Sequence, residues 1–110
     1  MEQKEQKEPI EKNEENLREH FNDQVGPAKW SELNKFFAQG IVLEVASELN
    51  LIDTAVAISL DYTEKVQGWL DDTLLSRMSD EKAKQWFEED TDVFAVVVDP
   101  WILVKKRSLG

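Results

Sequence analysis

A single histidine, His20, and several runs of carboxylates are the residues of this 110-residue chain whose types could do chemistry. A catalytic imidazole needs a partner that orients it and a nucleophile or substrate within reach. His20 lies between Glu19 and Phe21 on a charged N-terminal segment, so it reads as a solvated or half-packed side chain. Asp71-Asp72 and Glu88-Glu89-Asp90 with Asp92 offer oxygens of the kind that Mg²⁺ or Ca²⁺ takes. Neither run has the alternating acids, central glycine and distant glutamate of a calcium loop, and both read as charges at helix ends. Gly26, Gly40, Gly68 and Gly110 are isolated, which leaves no glycine-rich phosphate loop. The serines have no nucleophile elbow and no second histidine. With no cysteine there is no disulfide, thiolate nucleophile or thiolate zinc site. Acid–base pairs assembled from distant carboxylates remain open. The residues therefore nominate no catalytic, cofactor-binding or metal-ligating position.

Charge narrows the partners. The chain has 23 acidic and 13 basic residues and a net charge of −10, the wrong sign for a phosphate backbone. Lys105-Lys106-Arg107 is the compact basic cluster and reads as a solvated strand end. No apolar run approaches the roughly 18 residues of a membrane span. The opening "MEQKEQKEPIEKNEEN" lacks the apolar core of a secretory signal. The expected setting is the cytoplasm, with no nucleic acid and no membrane as partner.

These residues must be positioned by a small number of elements. Residues 1–13 are mostly Glu, Gln and Lys, with one proline, and read as a disordered acidic tail. Residues 14–110 read as one α+β domain. From Glu14, apolar residues at Leu17, Phe21 and Val25 give a narrow helical stripe, which Gly26-Pro27 ends. A second helix is expected from Lys29 or Ser31 to Gln39, with Trp30, Leu33, Phe36 and Phe37 on one face and Gly40 past its end. "IVLEVA" (41–46) alternates as a half-buried strand. "LNLIDTAVAISL" (49–60) fits either a helix or a strand, and its length and alanines favour the helix. Asp61 with Glu64 resembles a capping box opening a helix over Tyr62–Asp72, with Val66, Trp69 and Leu70 inward. "LLSRM" reads as one short strand. Ser79 and Asp80 offer caps to a helix burying Ala83, Trp86 and Phe87. The pattern predicts a small mixed or antiparallel sheet with several helices packed on one face, and four tryptophans as core anchors.

The closing segment "FAVVVDPWILVKKR" (94–107) is the most apolar in the chain. Val93–Val98 is apolar on both faces, as in a strand covered from both sides. Pro100 cannot donate to a ladder and belongs on an edge, at a bulge or in a turn. A tight hairpin there lacks the glycine or asparagine such turns prefer. The expectation is one long strand bent at Pro100, with Trp101 and Leu103 returning to the core and Asp99 at a solvated bend. Val97, Asp99, Pro100 and Trp101 are thus the nominated interaction or bend residues.

Four stretches resemble a known family: "WSELNKFFAQGIVLEV" (30–45), "LNLIDTAVAI" (49–58), "VQGWL" (66–70) and "AVVVDPWILV" (95–104). Together they are similar to the small bacterial family catalogued as domain of unknown function 2288. The valine run followed by Pro100-Trp101 is their most specific piece. That resemblance implies no assigned activity, cofactor or catalytic residue.

Function is therefore read as unknown, and the expected class is a non-enzymatic protein acting through contacts with an unidentified protein or with itself. An exposed edge of the apolar strand over 93–104 would serve such contacts. The alternative is a small-molecule-binding protein or small enzyme with a carboxylate-lined pocket. A third reading is an acidic nucleic-acid mimic that occupies a basic protein.

Overall fold

Five helices and a five-stranded mixed sheet build the α+β domain in a computed structural model that describes residues 13–107. Apart from Asn13, the expected tail over 1–13 lies outside the described residues. In chain order the elements are Glu14–Gln24 (α1), Gly26–Lys29 (β1), Trp30–Ala38 (α2), Val42–Val45 (β2) and Leu51–Ser59 (α3). Thr63–Asp71 (α4), Leu75–Arg77 (β3), Asp80–Glu89 (α5), Asp92–Val98 (β4) and Trp101–Lys106 (β5) complete them. The sheet order is β1-β4-β5-β2-β3, antiparallel except for the β5–β2 pair.

Side-chain alternation divides the apolar residues between the two faces of this sheet. Leu43, Val45, Val96, Val98 and Leu103 point to one side, where Leu17 and Phe21 of α1 and Leu51, Ala55 and Val56 of α3 meet them. Val42, Val93, Ile102 and Val104 point to the other, under Trp30 and Leu33 of α2 and Ala83 and Trp86 of α5. Val66 and Trp69 of α4 pack against the first cluster, so three helices share one face as expected, and two more cover the opposite face. The second helical layer follows from the two-sided apolarity of β4 and β5, which one layer of helices cannot bury. Glu44 shares the α2/α5 face, and the Lys82 ammonium of α5 meets its carboxylate at 2.9 Å, so the charge there is paired.

Local chemistry sets the helix boundaries. The side chains of Asn13, Asn50 and Ser79 accept the backbone N–H of Asn16, Asp53 and Lys82 at 2.9, 2.8 and 3.1 Å, satisfying donors that each helix start leaves free. Four helices end alike. Gly40 donates to Phe37 O and Ile41 to Phe36 O; the same pair of bonds recurs at Asp61/Tyr62, Thr73/Leu74 and Asp90/Thr91. This is the Schellman arrangement, whose pivot residue takes a left-handed conformation, here with φ of 78°, 57°, 56° and 49°. Asp61 is therefore the terminator of α3 and not the expected cap of α4, which begins at Thr63 without a side-chain cap. Only the first of the four pivots is glycine. Gly40→Ala is expected to lose about 1 kcal/mol although a methyl group there would meet nothing within 4 Å. Thr73→Gly is expected to gain about 1 kcal/mol by relieving a β-branched residue of the same conformation. Urea midpoints of the two variants check both signs.

The closing segment corrects the bent-strand expectation. Val98 faces Trp101 across a two-residue connection, so Asp99-Pro100 is a hairpin turn between β4 and β5. Its Asp99–Pro100 peptide is cis, and a cis-proline at the third position reverses a chain without the glycine that the commoner hairpins use. Four further differences concern burial and edges. Phe87, expected inside, is 52% exposed, and Leu70 is also exposed. Trp69 and Trp101 only border the core that Trp30 and Trp86 anchor. β4 and β5 lie inside the sheet, so the 93–104 segment supplies neither outer edge. The edges are β1, which the sequence reading missed, and β3.

Candidate functional site

One end of β4 is left open. Ile102 N–H donates to Ile41 O at 2.8 Å, toward β2, so Val97, which faces Ile102, shares no ladder bond with it. The N–H and C=O of Val97 therefore point to the β1 side. There the ladder stops at Gly26 opposite Ala95, because Val25 caps α1 by donating to Phe21 O at 2.8 Å. No backbone among the described residues pairs with Val97 on that side, and its side chain is 55% exposed.

This free stretch borders a cleft of about 530 Å³ between α1, the end of α3 and the β4–β5 turn. Leu17 and Phe21 of α1, Ile58 of α3 and Val98 form its apolar floor. His20, Gln24, Ser59, Asp61 and Asp99 supply its polar groups. The positions follow from helical spacing. Leu17 and Phe21, four apart, turn into the core, and His20 and Gln24, also four apart, flank them on the cleft side. The His20 ring meets Phe21 edge-on, with centroids 5.2 Å apart. Asp61 reaches the cleft because it terminates α3 in the left-handed conformation.

Of the nominated residues, Val97 and Asp99 line the cleft, Pro100 shapes the turn beside it, and Trp101 lies apart. The Arg77 guanidinium stands 5.2 Å from the Trp101 ring centre, which turns that indole toward β3. His20, Asp61, Ser59 and Gln24 were not nominated. The signal for His20 and Gln24 was their register beside the Leu17–Phe21 stripe, and nothing in the sequence marked Ser59.

The geometry offers hydrogen bonds and negative charge in place of an assembled catalytic set. Among the described residues no hydrogen bond ties His20 to Asp61 or Asp99, and no three metal-ligating side chains converge. The other carboxylate runs disperse into local bonds. Asp71 accepts from Gln67 at 3.0 Å, Glu89 from Gln85 at 3.3 Å, and Asp90 from the Ser31 N–H of α2 at 3.4 Å. Asp92 pairs with Lys29 at 2.9 Å across β1 and β4. The basic cluster also splits: Lys105 donates to Leu49 O, and Arg107 stands over Phe94 at 5.7 Å.

The Lys29–Asp92 pair carries a pH prediction. The hydrogen bond and charge of Lys29 hold the Asp92 carboxyl below its ordinary range. A depressed folded-state pKa adds stability above the unfolded carboxylate range, lost as pH falls through the folded value. Lys29→Gln should move the Asp92 titration back up toward its ordinary value, as read by carboxyl-carbon NMR. An unmoved midpoint would contradict the pairing.

Comparison with known proteins places this fold. A family model described as protein of unknown function (DUF2288) matches residues 16–106. The chain is 36% identical to the protein in the NMR solution structure of PA1075 from Pseudomonas aeruginosa. That match covers 84% of this chain and 85% of the other, with a TM-score of 0.75. No curated protein matches.

Proposed function

The chain belongs to the family described as protein of unknown function (DUF2288), and from its geometry we propose that it is a binding module for an extended segment of another protein. The observation that carries this reading is the unpartnered backbone of Val97 beside a cleft with an apolar floor. A segment laid along that end of β4 would exchange main-chain hydrogen bonds with Val97, as in strand addition. Its alternate side chains would rest on Leu17, Phe21 and Val98, and Asp61 and Asp99 would favour a basic residue at the rim. The partner strand thus docks at one open end of β4, and the length of 93–104 stays inside the sheet.

Val97→Pro tests it. Proline removes a single N–H that the β4–β5 ladder does not use, a position like those proline tolerates on edge strands. Peptides selected from a random display library on the immobilised protein should lose about tenfold in affinity for the variant, equivalent to about 1.4 kcal/mol. The thermal midpoint should stay close to that of the parent chain. Selected peptides that bind both proteins equally would sink the proposal.

A second reading uses the same cleft for a small molecule, because two carboxylates and an imidazole line it together. A cationic metabolite at about 100 times its dissociation constant would add about 2.7 kcal/mol by mass action. A thermal-shift panel of polyamines and basic amino acids would show that gain, and Asp61→Asn with Asp99→Asn would remove it. For either reading, no described helix is long and apolar enough to cross a membrane.

A further inference from the structure

The cleft beside Val97 does not end at Asp61. A second pocket of about 180 Å³ adjoins it, lined by Ile58, Asp61, Thr63, Val66 and Gln67, and Ile58 and Asp61 are common to the two. The turn between α3 and α4 makes the divide. The backbone N–H and the hydroxyl of Thr63 both donate to Asp61 O, at 2.7 and 3.1 Å, so the turn is held through the main chain. The carboxylate of Asp61 is left out of it. Asp61 is exposed, and among the described residues its carboxylate has neither a hydrogen bond nor an ion pair. The one arginine of α1 and the one lysine of α4 are engaged elsewhere. Arg18 pairs with Asp53, and the Lys65 ammonium stands over the rings of Tyr62 and Trp69 at 6.0 and 5.9 Å.

Beyond this divide the pocket is apolar. Ile58 and Val66 are half-buried and rest against the core cluster under α1 and α3. The polar side chains at its rim have already spent their donors, Thr63 on Asp61 O and the Gln67 amide on Asp71 at 3.0 Å. An occupant therefore gains by bringing an apolar group and gains little by bringing an acceptor. An unpaired carboxylate next to an apolar hollow fits a basic group next to an apolar one. We propose that the partner segment docked at Val97 carries such a pair, its cation on Asp61 and its apolar side chain between Ile58 and Val66. The inference rests on the docking reading and adds the partner's chemistry to it: main-chain pairing is blind to sequence, whereas these two contacts select one.

The probe is leucine amide, an ammonium joined to one branched side chain, titrated into the ¹⁵N-labelled protein at pH about 6.5, below the roughly 7.7–8.0 of an ordinary α-amino group. N-acetyl-leucine amide, with the same side chain and no charge, is the control. Leucine amide should shift the Asp61, Val66 and Gln67 amides, and the control should bind several-fold more weakly. Asp61→Asn supplies a residue that takes the left-handed conformation readily and should erase that difference. Gln67→Trp replaces an exposed side chain with a ring that covers the pocket and should remove binding of both compounds. Peptides selected on the immobilised protein carry the test to the segment itself, and should lose several-fold in affinity for each variant. No shift at tens of millimolar probe, equal binding of the two compounds, or selected peptides indifferent to both variants would overturn the proposal. Val97→Pro tests the docking reading apart: peptides weakened by that change but not by Asp61→Asn or Gln67→Trp would leave strand docking in place and sink only these two anchors.

Discussion

Trp86→Ala is expected to cost about 3–5 kcal/mol, the range for truncating a buried large aromatic. Trp86 projects from α5 with 4% of its surface exposed and meets the Trp30 ring edge-on at 5.6 Å between centroids. The two indoles join α5 to α2, and both lie over Val93 and Val104 of the sheet. Nothing nearby can fill the hole, because Trp30 is itself enclosed and Phe87, the next aromatic along α5, faces solvent. Small domains are stable by about 5–15 kcal/mol in all, so the variant should unfold at a much lower denaturant concentration. Equilibrium unfolding in urea measures the loss. A cost under about 1 kcal/mol would mean that this layer is not packed as described.

Leu103→Ala should cost about 2–5 kcal/mol, from the opposite face. Leu103 is fully buried at the centre of the sheet, with Val96 beside it on β4 and Leu43 on β2. Its side chain belongs to the cluster that includes Leu17 and Phe21, two of the residues flooring the cleft. The cavity should therefore disturb the His20 and Gln24 signals as well as global stability. Trp86→Ala opens a hole on the far side of the sheet and should leave those signals in place. The same urea series, read with NMR shifts, checks both statements. Equal disturbance of the cleft by the two variants would contradict the two-layer division.

Much of this architecture was legible in residue spacing. The 3.6-residue stripes of α1, α2 and α5 and the alternation of β2 were plain, as were Gly40 past α2 and Ser79 before α5. What escaped was set by tertiary context. "GPAK" carries no strand signal, since its pairing comes from β4 and not from its own side chains. Asp61 was legible as a cap but belongs to the preceding helix, and only the backbone shows it. The hairpin at Asp99-Pro100 used a turn that glycine-based rules do not anticipate. The second layer of helices had left a trace, because a strand apolar on both faces asks for cover on both. Phe94 and Val97 show where that cover ends: Phe94 at a corner of the sheet, Val97 past the last residue of β1. The cleft could not be read from any one segment, since its residues come from three separated stretches of chain.

Amide hydrogen exchange at Val97 tests the central claim most directly. In the free protein its N–H should exchange about as fast as an exposed loop amide, while those of Val96 and Val98, committed to β5, stay protected. With a peptide selected on the immobilised protein, Val97 should join its neighbours in the slow class. A Val97 amide already as slow as Val96 in the free protein, or one unchanged by bound peptide, would contradict the docking account.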